Sequence, residues 1–178
     1  MRRIAAVVAV FLMVVPALTL SARAADDALS PDANAAYLAA NAKKPGVIVR
    51  PDGLQFKILQ NGFGRRPYVT DTVRVYYTGT LINGTVFDGT SPGLPAPFKV
   101  DSVIPGWIEA LTLMREGDHW QLVIPANLGY GNQSKGDGLI PPGQVLIFDI
   151  QLISTKPAPR PGDKDYIPDP HDPEANQQ

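Results

Sequence analysis

One segment with a helical spacing of apolar residues interrupts a chain whose other patterned segments alternate like strands, and that contrast limits the folds open to it. Ile108, Leu111, Leu113 and Met114 follow the i, i+3, i+4 rule over about residues 105–115, and Glu116-Gly117-Asp118 stops the pattern. Just upstream, Val103-Ile104-Pro105-Gly106-Trp107 sets three large apolar side chains around a Pro-Gly turn, in a chain with only two tryptophans. Trp107 falls in the first turn of the helix. On a body of strands, a tryptophan there is either the plug of the core or the floor of an apolar pocket.

The strands are read from period-two alternation. In residues 72–81, Val73, Val75 and Tyr77 alternate with Thr72, Arg74 and Tyr76, the pattern of a half-buried strand. Asn83-Gly84 signals a hairpin, with residues 85–88 returning as its partner. Residues 47–50 and 54–59 flank the turn Pro51-Asp52-Gly53, Phe98-Lys99-Val100 forms a short strand, and residues 120–124 alternate again. In residues 145–153, Leu146, Phe148, Ile150 and Leu152 share one face and Asp149 and Gln151 the other. Between these last two strands, residues 125–143 form a Gly- and Pro-rich loop that nonetheless carries Leu128, Tyr130, Leu139 and Ile140. Such a loop is expected to fold over something.

The ends read differently. Arg2 and Arg3 precede an apolar run over residues 4–20, and Ala22-Arg23-Ala24 offers small residues at a cleavage position, so residues 1–24 are expected to be a signal peptide rather than a retained anchor. Residues 25–46 hold a short helix and linker. Ser30-Pro31-Asp32 supplies N-cap, N1 proline and an acid at the positive helix end, and Lys43-Lys44-Pro45-Gly46 stops the helix. Its apolar face is essentially Tyr37, Leu38 and alanines, which predicts weak docking. Residues 155–178, dominated by Pro, Asp, Lys and Gln, are expected to be a disordered tail.

Composition narrows the chemistry. Removal of residues 1–24 takes three arginines and no acid, leaving 13 basic against 17 acidic residues, a balance that would attract neither nucleic acid nor an anionic membrane. Without cysteine there are no disulfides, thiol nucleophiles or zinc-thiolate sites. His119 adjoins a strand and His171 lies in the tail, so no Ser-His-Asp set is credible. Gly129-Tyr130-Gly131 lacks the later glycine and the βαβ setting of a dinucleotide loop. What remains is a set of aromatics with one acid among them: Tyr77, Phe87, Asp88, Phe98, Trp107, Tyr130 and Phe148. If they converge, they form a cup for an apolar, uncharged ligand.

These residues also carry a resemblance. Tyr77-Thr78-Gly79, Gly84-x-x-Phe87-Asp88, Val103-Ile104-Pro105-Gly106-Trp107, Tyr130-Gly131, Ile140-Pro141-Pro142 and Leu146-x-Phe148-Asp149 resemble the FKBP-type peptidyl-prolyl cis-trans isomerases in order and spacing. Each motif is short; the ordered set is specific. It covers residues 47–154, and Asn41-Ala42-Lys43-Lys44-Pro45-Gly46-Val47 further resembles the linker before the catalytic domain of bacterial Mip-like members.

The resemblance implies an α+β fold, a bent antiparallel sheet wrapped around one short helix, here preceded by the short N-terminal helix. It implies Trp107 as pocket floor and Phe87, Phe98, Val103, Ile104, Ile140 and Phe148 as substrate-binding walls. Tyr77, Asp88 and Tyr130 would be the catalytic polar set, with Asp88 a buried acid bonded to Tyr77 and with the Ile104 N–H and Tyr130 hydroxyl meeting substrate carbonyls. The family often supplies an arginine between Asp88 and Phe98, but residues 89–97 contain none, so Asp88 should rely on Tyr77 and backbone donors. The loop 132–138 has no histidine or aromatic to set substrate preference. No metal or cofactor is implied. The implied partners are Pro-containing segments of unfolded exported polypeptides and macrolide inhibitors, with no nucleic acid and no membrane after cleavage, in the periplasm. Mip-like members carry a long dimerisation helix; the short segment here leads us to expect a monomer. Two other readings use the same residues: a non-catalytic chaperone or peptide-binding module, and a structural β-domain whose cup is filled.

Overall fold

The computed structural model describes residues 28–159 and Lys164. The expected signal peptide and most of the expected tail lie outside the described residues. Helix α1 spans Pro31–Asn41, and seven strands follow: β1 (Val47–Val49), β2 (Gln55–Gln60), β3 (Thr72–Thr80), β4 (Val86–Gly89), β5 (Ala96–Lys99), β6 (His119–Ile124) and β7 (Leu146–Lys156). Helix α2, Pro105–Leu113, comes between β5 and β6.

The strands form one open antiparallel sheet in the order β1-β2-β6-β7-β3-β4, with β5 also pairing with β3. Strands β5 and β4 therefore lie end to end along one side of β3, beside Thr72–Val75 and Thr78–Thr80 respectively. The longest ladder joins β3 to β7, from Thr72↔Lys156 to Thr80↔Ile147, and a bulge falls between Arg74 and Val75. The extra residue, Ile153 of β7, bends that strand and tightens its twist.

The alternation predicted for β3, β6 and β7 puts Val73, Val75, Leu122, Ile124, Leu146, Ile150 and Leu152 in the core. Trp107, Ala110, Leu111 and Met114 of the α2 region fill the concave side of that face. Close approach of helix and sheet requires Gly106, since a Cβ there would stand 2.6 Å from Ile124 Cγ2.

Helix α1 corrects the expectation of weak apolar docking. Its buried side chains are Asn34 and Asn41, whereas Tyr37 and Leu38 are half-buried. Asn34 Oδ1 accepts the Val145 N–H at 2.8 Å, and its Nδ2 donates to Gln144 Oε1 and to the Leu29 and Ser30 carbonyls. Asn41 Nδ2 donates to Gln55 Oε1 at 2.9 Å, and Gln55 Nε2 donates to the Leu38 carbonyl. Gln55 pairs with Val123 across β2 and β6, both buried on the face opposite the core. Helix α1 thus covers the convex side through hydrogen bonds of both buried amides, with Asn41 Oδ1 alone left unpaired.

The tail boundary also moves. Strand β7 runs through Thr155 and Lys156, and the Ala158 N–H bonds the carboxylate of the fully buried Asp71, which also takes Arg65 and the Tyr68 N–H.

Candidate active site

The Pro105 ring starts α2 at the position where a missing N–H costs nothing. Trp107 follows in the first turn and is only 4 % exposed. Three strands bring aromatics to it. Tyr77 from β3, Phe98 from β5 and Phe148 from β7 meet the indole edge-on at centroid distances of 5.1, 5.4 and 5.1 Å. Phe87 from β4 packs edge-on against Phe148 at 5.5 Å. Edge-to-face geometry is favoured by the ring quadrupoles and fixes the walls of the cup. Gly79 is what lets Phe87 and Phe148 lie on β3, because a Cβ there would sit 2.6 Å from one ring and 2.9 Å from the other.

Above the indole lies a cavity of about 260 Å³ lined by Tyr77, Asp88, Phe98, Ser102, Val103, Ile104, Trp107, Tyr130 and Phe148. Eight of the ten residues singled out in the sequence border it. Phe87 and Ile140 do not. Phe87 backs Phe148, and Ile140 is buried in the core, where its backbone closes a small hairpin with Lys135. Ser102 was missed; it sits in the 3₁₀ turn just before Val103, and its only sequence signal was that adjacency.

The polar groups are few. The Tyr77 hydroxyl donates to Asp88 Oδ2 at 2.7 Å, and Asp88 Oδ1 takes the Gly89 N–H at 2.8 Å. Asp88 is exposed, not the buried acid expected. Strand β4 is a sheet edge with β3 as its one neighbour. The bonds it does make are those expected without an arginine.

Burial, reinforced by the Asp88 bond and charge, raises the Tyr77 hydroxyl far above its ordinary value of 10.0. Burial, then the Asp88 charge, also raises Tyr130. Both phenols stay protonated and able to donate at neutral pH. The Tyr130 hydroxyl and the Ile104 N–H have no acceptor among the described residues. The Ile104 carbonyl, by contrast, caps α2 by accepting from Trp107 and Ile108. An aromatic floor with the Ile104 N–H and the Tyr130 hydroxyl unpaired beside it suits an uncharged ligand with an apolar ring and flanking carbonyls.

Fold and site together define an antiparallel-sheet protein with an aromatic cavity floored by a tryptophan in the first turn of a helix. The profile of the FKBP-type peptidyl-prolyl cis-trans isomerases matches residues 64–153. The chain belongs to that family. It is 56 % identical over 124 residues to the outer membrane protein MIP of Legionella longbeachae, covering 69 % of this chain and 53 % of that one. It is 52 % identical over 118 residues to the FKBP-type 22 kDa peptidyl-prolyl cis-trans isomerase of Escherichia coli, covering 66 % and 57 % respectively. The chain thus spans about half the length of these curated relatives. Among solved structures it resembles a peptidyl-prolyl cis-trans isomerase from Pseudomonas syringae (TM-score 0.67, 39 % identity, 74 % of this chain and 96 % of that one). It also resembles FkpA from Escherichia coli (TM-score 0.69, 38 % identity, 80 % and 65 %).

Proposed function

We propose that the chain accelerates cis-trans isomerisation of X-Pro bonds in exported polypeptides, binding the prolyl segment in the Trp107 cavity. The observation that carries this is the pair of unpaired donors, the Ile104 N–H and the Tyr130 hydroxyl, at a cavity floored by an indole. Rotation about an X-Pro bond is opposed by amide resonance worth roughly 18–20 kcal/mol. Water favours the charge-separated planar amide, whereas an apolar cup favours the twisted, less polar one. The proline ring would lie on Trp107 between Tyr77, Phe98 and Phe148. Donation from Ile104 N–H and Tyr130 to carbonyls flanking the bond would hold the chain in the bent geometry of the transition state. Asp88 orients the Tyr77 hydroxyl. This chemistry needs no nucleophile, metal or cofactor.

The apolar run at residues 4–20 and its small-residue exit support an address in the periplasm. Macrolides that imitate a bound prolyl segment would compete for the cavity, and the chain would work as a monomer.

The test is isomerisation of a proline tetrapeptide, followed by proline-limited refolding of a protein. Tyr130→Phe should lower kcat/KM by about fivefold, the value of one hydrogen bond near 1 kcal/mol. Trp107→Leu in a chain that stays folded should remove most activity. Peptide binding without acceleration would instead make the cup a non-catalytic chaperone site, a reading favoured by the exposure of Asp88.

A further inference from the structure

A second cleft lies at the other end of α2. It has a volume of about 580 Å³ and is bordered by Ile48, Phe63, Arg66, Leu113, Arg115 and Trp120, among others. Its inner wall is the parallel stack of Phe56 and Trp120, with centroids 4.4 Å apart and planes 8° apart. Trp120 is 4 % exposed, and its Nε1–H is buried without an acceptor.

The outer rim is unlike an ordinary surface. Phe63 is 93 % exposed, and Ile48, which also borders the cleft, is an exposed large apolar residue as well. Exposed apolar groups gathered at a cleft mark interaction sites. Two cations border them without a carboxylate. Arg66 has no ionic partner among the described residues, and the Arg115 guanidinium donates to the Gly64 carbonyl alone. The third arginine of the cleft, Arg50, is already matched by Glu109 at 2.7 Å. The one acid of the lining, Asp118, is buried and spent on the Gly62 and Arg115 amides.

We infer that this cleft is a second polypeptide-binding subsite, which takes a client segment carrying an aromatic or large aliphatic side chain next to Asp or Glu. Charge complementarity selects the occupant, since an apolar wall beside two uncompensated arginines favours an anionic apolar segment over a neutral or basic one. The inference deepens the isomerase reading and rests on it for the nature of the client, although not for the existence of the cleft. Trp107, which floors the first cavity, and Leu113, which borders the second, are six residues apart on α2, about 9 Å along its axis, more than the half-length of a tetrapeptide. A fully extended tetrapeptide is at most about 14 Å long. Centred on Trp107 it cannot reach Trp120, whereas an unfolded protein reaches both.

The two tryptophans of the chain line one cavity each, so their indole N–H resonances report the subsites separately. The full chain, with the first cavity filled by a macrolide, is titrated with a proline-free acidic peptide containing two phenylalanines. The expected result is a shift of the Trp120 indole and the Phe63 amide with the Trp107 indole unmoved. Arg66→Glu should raise the Kd at least fivefold, and a lysine-rich version of the peptide should not bind. Absence of a Trp120 shift, or equal binding of the basic peptide, overturns the inference. On the exposed double variant Phe63→Ser/Arg66→Glu, proline-limited refolding of a protein client should slow several-fold while tetrapeptide turnover holds. Unchanged refolding, or equal loss in both assays, also overturns it. A wild-type chain inactive on the tetrapeptide would break the isomerase reading instead, leaving the peptide titration to decide the cleft.

Discussion

The two helices are attached to the same sheet by opposite means. Helix α2 presents Trp107, Ala110 and Leu111 to the concave core and is held by burial of apolar surface. Helix α1 lies on the convex face and is held by Asn34 and Asn41, two amides a heptad apart, the first bonded to Gln144 and Val145 just before β7 and the second to Gln55 of β2. Apolar burial is tolerant of small shifts and scales with area. Amide pairing is directional and fails as soon as one partner is left unpaired. The pocket therefore stands on the forgiving attachment, and the loop that leads into β7 is positioned by the exacting one, because Asn34 grips Gln144 and Val145 directly after Ile140-Pro141-Pro142.

The contrast can be broken most sharply at Leu111, which is fully buried in α2. Leu111→Ala should lower the global unfolding free energy by about 3 kcal/mol, within the range for buried leucines. Urea denaturation showing a loss under about 1 kcal/mol would mean that α2 is not held by its apolar face. Asn34→Ala comes next. It leaves the Val145 N–H and the Gln144 Oε1 without their partner, at a cost of about 1–3 kcal/mol. The loss should be local, with α1 amides exchanging faster while the global midpoint moves little. A large shift of the midpoint would show that both helices belong to one cooperative unit. Ser30→Ala removes the side-chain bond to the Ala33 N–H and should weaken α1 by about 1 kcal/mol, again visible in exchange of α1 alone.

The smallest effect concerns alkali. Tyr37 on α1 is raised above 10.0 by burial, and Tyr77 beside α2 is raised further by burial and the Asp88 bond. A phenol whose folded value lies above the unfolded one binds its proton more tightly when folded. Its stabilisation is complete below pH 10 and is lost as pH rises through the raised value. Stability measured from pH 9 to 11.5 should fall, and Tyr77→Phe should flatten that fall more than Tyr37→Phe. Equal flattening by both variants would deny Tyr77 its special environment.

The core was legible because it follows periodicity, and most of the residues around the cavity because motif resemblance was added to that periodicity. Leu146, Phe148, Ile150 and Leu152 alternate without exception, and Tyr77 and Trp107 sit at positions that the strand and helix patterns point inward. Attachment of α1 was not legible, since asparagine is ordinarily a surface residue and its burial depends on Gln55 and Gln144 in distant segments. The available signal was the seven-residue spacing of Asn34 and Asn41 with Leu38 between them, which places all three on one face. Exposure of Asp88 escaped for a related reason. Motif spacing says which groups meet, as Tyr77 and Asp88 do, but not what covers them from the other side.

The register of β3 with β7 has a consequence for how the protein comes to exist. Thr72 pairs with Lys156 and Gly79 with Phe148, so a wall of the cavity arrives from a strand some seventy residues further along the chain. Loops of that span are entropically slow to close, and sheets built from them fold in milliseconds to seconds rather than microseconds. As the chain emerges, Tyr77, Phe98 and Trp107 are all present well before Phe148, yet no cup exists until the last strand inserts between β6 and β3. Truncation before residue 148 should therefore abolish the site outright rather than trim it.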